Sequence, residues 1–188
     1  MKKRLVLAAL LSVLATACVP QQQYNQEVQQ VQQLTYMDNT YKQLNQNLQS
    51  EVNADQVQIK QLKNRLQVTM VNAILFPEGG WELSQDGKRE LGKIVPTLQS
   101  VTGKQIVIEG FTDNELILEP LKSRFPNNWY LSAARAISVV SYLEEQGIDP
   151  NELSAVAFGK YHPIASNDSR EGRAQNRRIN IVIQDQTP

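Results

Sequence analysis

A single histidine and a single cysteine bound the chemistry open to these 188 residues. A hydrolytic zinc centre takes several His or Cys ligands, which His162 and Cys18 cannot supply between them. A Ser-His-Asp triad would have to use His162, and that residue lies in a Tyr161-His162-Pro163 loop with no nucleophile elbow nearby. His162 therefore reads as a turn residue. Neither a phosphate-binding Walker loop nor a dinucleotide fingerprint is present. The expectation is a non-enzymatic protein with no metal and no cofactor. Its 19 basic and 19 acidic residues cancel, so net charge gives no argument for a nucleic-acid partner.

The remaining polar residues need elements to hold them, and the chain divides into three stretches. Lys2, Lys3 and Arg4 precede an apolar run from Leu5 to Leu14, and Ala15, Thr16 and Ala17 lead into Cys18. The apolar run falls short of the ~20 residues of a spanning helix, so residues 1–17 read as a secretory signal peptide. As the sole cysteine, Cys18 cannot close a disulfide within one chain. The pattern resembles a lipobox, which implies that Cys18 carries thioether-linked diacylglycerol and an acylated new N-terminus. Three acyl chains anchor far more firmly than one. An ordinary cleaved signal would leave Cys18 incidental. Loss of residues 1–17 leaves 16 basic against 19 acidic residues, or −3. Val19 stands where an aspartate would resemble an inner-membrane retention signal, so the resemblance implies lipid anchoring in the outer membrane with the rest of the chain in the periplasm.

Residues 18–68 form the second stretch, rich in glutamine and asparagine and free of glycine. Apolar residues recur at Tyr24, Val28, Val31, Leu34, Met37, Tyr41, Leu44, Leu48, Val52, Ile59, Leu62 and Leu66. Steps of three and four dominate, which describes one narrow stripe on a long helical arm. Such an arm could self-associate as an irregular coiled coil; the alternative is a partly ordered Gln-rich linker.

From residue 69 to 188 the texture is that of a compact domain. Val71–Phe76 reads as a strand, and Ser84 as the cap of a helix running to about Leu98. Ile106–Ile108 gives a second strand ended by Gly110. Asn128 or Ser132 can cap a further helix, which Gly147 ends. Strands at Leu153–Phe158 and Ile179–Ile183 follow, with a helical turn around Arg173. The order β-α-β-α-β-β predicts a two-layer α+β domain with a mixed sheet packed against helices.

Three segments carry a more specific signal. Gly110-Phe111-Thr112-Asp113-Asn114 follows the second strand, Asn128-Trp129-Tyr130-Leu131-Ser132-Ala133-Ala134-Arg135-Ala136 opens a helix, and Asn176-Arg177-Arg178-Ile179 enters the last strand. Together they resemble the C-terminal domain of the OmpA family, which includes Pal and the periplasmic part of MotB. The likeness spans Val71 to Ile183. Phe111 replaces a commoner histidine or tyrosine, and the long stretch from Glu115 to Pro126 is similar to MotB rather than Pal.

The resemblance implies a peptidoglycan ligand, held by the diaminopimelate of its stem peptide. The free end of that residue is a zwitterion, so Arg135 is expected to take the carboxylate and Asp113 the ammonium. The planar guanidinium suits two parallel charge-assisted bonds. Thr112, Asn114, Asn128, Leu131 and Arg178 complete the implied site, with Arg177 the alternative to Arg178 because neighbouring strand residues face opposite ways. A lysine-type wall lacks the carboxylate and would leave Arg135 desolvated and unmatched. Read without the motif, Asp113 and Arg135 are a plain ion pair between loop and helix. The implied role is a tether between outer membrane and wall; the alternative is an anchoring subunit of an envelope machine, such as a flagellar motor or secretion system.

Overall fold

The computed structural model describes residues 20–186, so the signal-like segment and Cys18 lie outside it. Two compact units divide the chain, one ending at Asp38 and the other beginning at Asn39. Helix α1 (Gln21–Asn47) contains no glycine or proline, and its 27 residues rise about 40 Å. In the first unit its stripe is exposed at Tyr24, Val31 and Leu34, each more than half exposed, and buried only at Met37 near the unit's end. In the second unit the same stripe is buried at Leu44 and Leu48.

Helix α2 (Gln49–Asn53) follows and fastens this segment to the domain. The Asn47 amide donates to the Thr97 hydroxyl at 3.2 Å. The Lys93 ammonium lies 2.5 Å from Glu51 and 2.6 Å from Glu90. Burial pushes the Glu51 carboxyl up, but hydrogen bonds from Lys93 and Ser50 outweigh it and hold it down at about 2.

The expected arm helix does not run on to Leu66. Asp55 takes a positive φ of 55°, and the chain then forms a hairpin of β1 (Val57–Leu62) and β2 (Arg65–Val71). Ile59, Leu62 and Leu66 keep a helical spacing, which concealed it. Leu66, Val68 and Met70 also alternate, and all three are fully buried, so the strand period decides. The sheet thus begins before residue 69. The stretch expected as the first strand, Val71–Phe76, instead holds a helical turn, α3 (Asn72–Leu75).

Ser84 caps α4 (Gln85–Gly92) as expected, accepting from the Gly87 N–H. That helix stops at Gly92, and α5 (Val95–Ser100) restarts with Pro96 in its first turn. Proline lacks the N–H a helix interior needs but fits a helix start. After these come β3 (Lys104–Phe111), α6 (Leu121–Arg124), α7 (Asn128–Glu145), a 3-10 turn (Pro150–Glu152), β4 (Leu153–Gly159), α8 (Arg170–Asn176) and β5 (Arg178–Asp185).

The sheet order is β1-β2-β5-β3-β4, with only the β3–β4 pair parallel. This is the expected two-layer α+β arrangement with a mixed sheet. Paired residues share a face. Leu66, Ile183 and Ile106 form one apolar row, and Val68, Ile181 and Ile108 the next. On the other face Thr69 donates to Asn180, which donates to Glu109. Helix α7 packs on β3 and β4 with Leu131, Ala136, Val139 and Leu143 buried. It lies so close that a Cβ on Gly110 would fall 2.2 Å from the Ser132 carbonyl. Only glycine permits that approach.

Candidate functional site

One end of the sheet gathers the residues singled out in the sequence. Val57, Met70, Ile179, Gly110 and Ala157 form a row across all five strands at that end. Just beyond it the loop after β3 carries Thr112 and Asp113, both buried. The Thr112 N–H donates to the Gly159 carbonyl at 2.9 Å, and its hydroxyl donates to the Asp113 carbonyl at 2.9 Å. These bonds fix the backbone on either side of the carboxylate.

Asp113 accepts from the Glu115 N–H at 3.2 Å and from Arg177 at 2.5 Å. A cation and a backbone amide thus both converge on this carboxylate. Arg135 projects from the second turn of α7 and is 5% exposed. Its Nε donates to the Gly80 carbonyl at 2.9 Å, and its guanidinium lies 5.6 Å from the centre of the Phe76 ring. The two terminal nitrogens have no hydrogen-bond partner among the described residues. Burial lowers the proton affinity of Arg135 to about 10; Asp113 offsets part of this and Arg177 adds to it. Asp113, Arg135 and Arg177 therefore form one electrostatic cluster, two cations around one anion.

The other expected site residues separate into kinds. Asn128 does not cap α7; Asn127 does, accepting from the Trp129 N–H at 3.0 Å. The Asn128 amide instead ties down the loop, donating to the carbonyls of Glu115 at 3.0 Å and Asp113 at 3.4 Å. Ser132, the other candidate cap, sits inside the helix and accepts from the Gly159 N–H. Asn114 is exposed beside Asp113, whereas Leu131 is buried in the helix–sheet layer.

Arg178 turns into the fold. It is 4% exposed and donates to the carbonyls of Asn176 and His162, with its guanidinium 3.7 Å from the Phe111 ring centre. Arg177 is the arginine on Asp113. The alternation of strand residues separated the two but could not say which was which. Sequence reasoning also missed the loop's second fastening, Arg173 to Glu115 at 3.0 Å. The Glu115–Pro126 stretch is pinned by Phe125, buried edge-on against Trp81 at 5.0 Å, with Arg124 over the indole at 4.4 Å. His162 packs its ring edge-on against Phe158.

The chain is similar in sequence and in fold to known proteins. The chain is 33% identical over 130 residues to motility protein B of Bacillus subtilis, covering 68% of this chain and 48% of the relative. It is 31% identical over 122 residues to the peptidoglycan-binding protein ArfA of Mycobacterium tuberculosis, covering 65% and 35%. The match thus spans about half or less of these curated relatives. Among solved structures, the cell wall anchor of the type VI secretion system of Pseudomonas aeruginosa superposes with a TM-score of 0.69 at 31% identity, covering 76% of this chain and 97% of that one. Residues 75–177, more than half of the chain, match the OmpA family, and they run from the buried turn before α4 to the arginine on Asp113. The chain belongs to the OmpA family.

Proposed function

We propose that this domain binds peptidoglycan without catalysis, through the diaminopimelate end of the stem peptide. One observation carries the reading: a buried Arg135 whose terminal nitrogens have no protein partner shares a cluster with the buried carboxylate of Asp113. A desolvated guanidinium with free donors calls for a planar anion, and the adjacent carboxylate calls for a cation. The zwitterionic end of diaminopimelate offers both on one carbon. The ligand ammonium takes the Asp113 oxygen that Arg177 holds in the free protein, while Thr112 and Asn128 keep the loop in place and Asn114 lies at its mouth. The relative named for peptidoglycan binding and the solved cell wall anchor support this reading.

Joined to a lipidated Cys18, the domain tethers the outer membrane to the wall. A second reading, an anchoring subunit of an envelope machine, is favoured by the likeness to motility protein B and to the secretion-system anchor. The open stripe of Tyr24, Val31 and Leu34 would serve either role as a self-association face.

Titration with a diaminopimelate-containing stem peptide tests the site. Asp113→Ala and Arg135→Ala should each weaken binding by at least about tenfold, the loss of a charge-assisted bond worth about 1.5–3 kcal/mol. Asp113→Asn, which keeps the shape, should weaken it nearly as much. Normal affinity in either alanine variant rules the assignment out. Lost affinity with a collapsed melting temperature would point to a structural ion cluster instead.

A further inference from the structure

Trp129 and Tyr161 stack on each other in the open. Their ring centres are 5.2 Å apart with planes 28° from parallel, and the residues are 44% and 57% exposed. Exposed aromatic rings held together leave apolar area that folding has not covered. The indole N–H and the phenolic hydroxyl also have no hydrogen-bond partner among the described residues.

Their position picks out an occupant. Asn128, next to Trp129, bonds the carbonyls of Asp113 and Glu115. Gly159, two residues before Tyr161, accepts from Thr112. A Cβ on Gly159 would lie 3.4 Å from the backbone nitrogen of Trp129, so the two segments touch. The aromatic pair thus stands on the two segments that hold the loop of Asp113, next to the charged site in the chain.

We propose that Trp129 and Tyr161 form a saccharide platform, which takes a pyranose ring of the glycan to which the bound stem peptide is attached. The proposal rests on the peptidoglycan reading above. A pyranose has an apolar face of C–H groups that fits the electron-rich face of an aromatic ring. Its hydroxyls lie around the edge, where the indole N–H and the Tyr161 hydroxyl are free to pair. A ligand anchored by its peptide at Asp113 and Arg135 has its glycan end beyond the charged pair, and the aromatic pair stands on the segments that flank that pair.

Calorimetric titration of the full chain with three ligands tests the platform: the stem peptide, the same peptide on its disaccharide, and the disaccharide alone. The wild type should hold the disaccharide-peptide about tenfold more tightly than the peptide, the scale of one aromatic contact. Trp129→Ala and Tyr161→Ala should each bring that ratio towards one without changing peptide affinity. Asp113→Ala should weaken both peptide ligands and keep the ratio. A wild-type ratio of one, or a ratio unmoved in both aromatic variants, overturns the platform and leaves the peptide site standing. Absence of peptide binding by the wild type overturns both. The chain has two tryptophans, so Trp81→Phe leaves Trp129 as the sole indole. Its fluorescence should shift with the disaccharide-peptide and not with the peptide alone; a silent indole also overturns the platform.

Discussion

Arg177 and Arg178 are neighbours with different surroundings, and their variants should differ accordingly. Arg178 supplies the donors for two backbone carbonyls inside the fold and its guanidinium sits over Phe111. Arg178→Ala leaves those acceptors unmatched and a void beside the ring, and should cost about 2–4 kcal/mol. The Arg177 side chain is 37% exposed, so Arg177→Ala should cost only about 1 kcal/mol. Denaturant melts of the two variants measure this; equal losses, or a larger one at Arg177, would reverse the assignment. Asp113 and Arg135 were legible because a spaced motif names them. The hydrogen bond that orients Arg135 was not, since Gly80 lies 55 residues earlier and its carbonyl carries no sequence signal. Which arginine meets Asp113 depends on where α8 ends and β5 begins, a boundary that strand periodicity does not fix.

The hairpin of β1 and β2 was hidden because Ile59, Leu62 and Leu66 fit a helix as well as a strand. What settles it is long-range: β2 pairs along its whole length with β5, more than a hundred residues later. The helices of the domain were more legible, since Ser84 and Gly147 mark their ends by local chemistry. The hairpin predicts how truncation behaves. A chain starting at residue 69 loses β1 and Leu66 and Val68 of β2, both fully buried. Each side chain is worth about 1.5–3 kcal/mol of burial, a large share of a marginal total of about 5–15 kcal/mol. It also leaves the inner strand β5 partly unpaired along one edge. Residues 69–188 should melt well below residues 39–188 or fail to fold. Equal melting temperatures would show the hairpin to be dispensable.

For the whole molecule, the lipid-anchored reading turns on Cys18. Cys18→Ser should abolish labelling by a fatty-acid analogue and leave the protein released from membranes or unprocessed. Equal labelling of wild type and variant would sink the anchor. Under the tether proposed above the chain would carry load, and the fold sets where that load would fall. The segment from Asn39 enters β1 at Val57, in the same end row of the sheet as Gly110, and Asp113 lies just beyond. Tension between the arm and a ligand at Asp113 would therefore peel β1 from β2 one pair at a time rather than shear the ladder. Ahead of that peeling stand Leu44, Leu48, the Asn47–Thr97 bond and the Glu51–Lys93 pair. Those contacts act as a strain relief. When they part, the helical residues between 39 and 53 can stretch from about 1.5 Å to about 3.3 Å each, which would lengthen the tether before β2, β5 or the ligand grip feels the pull.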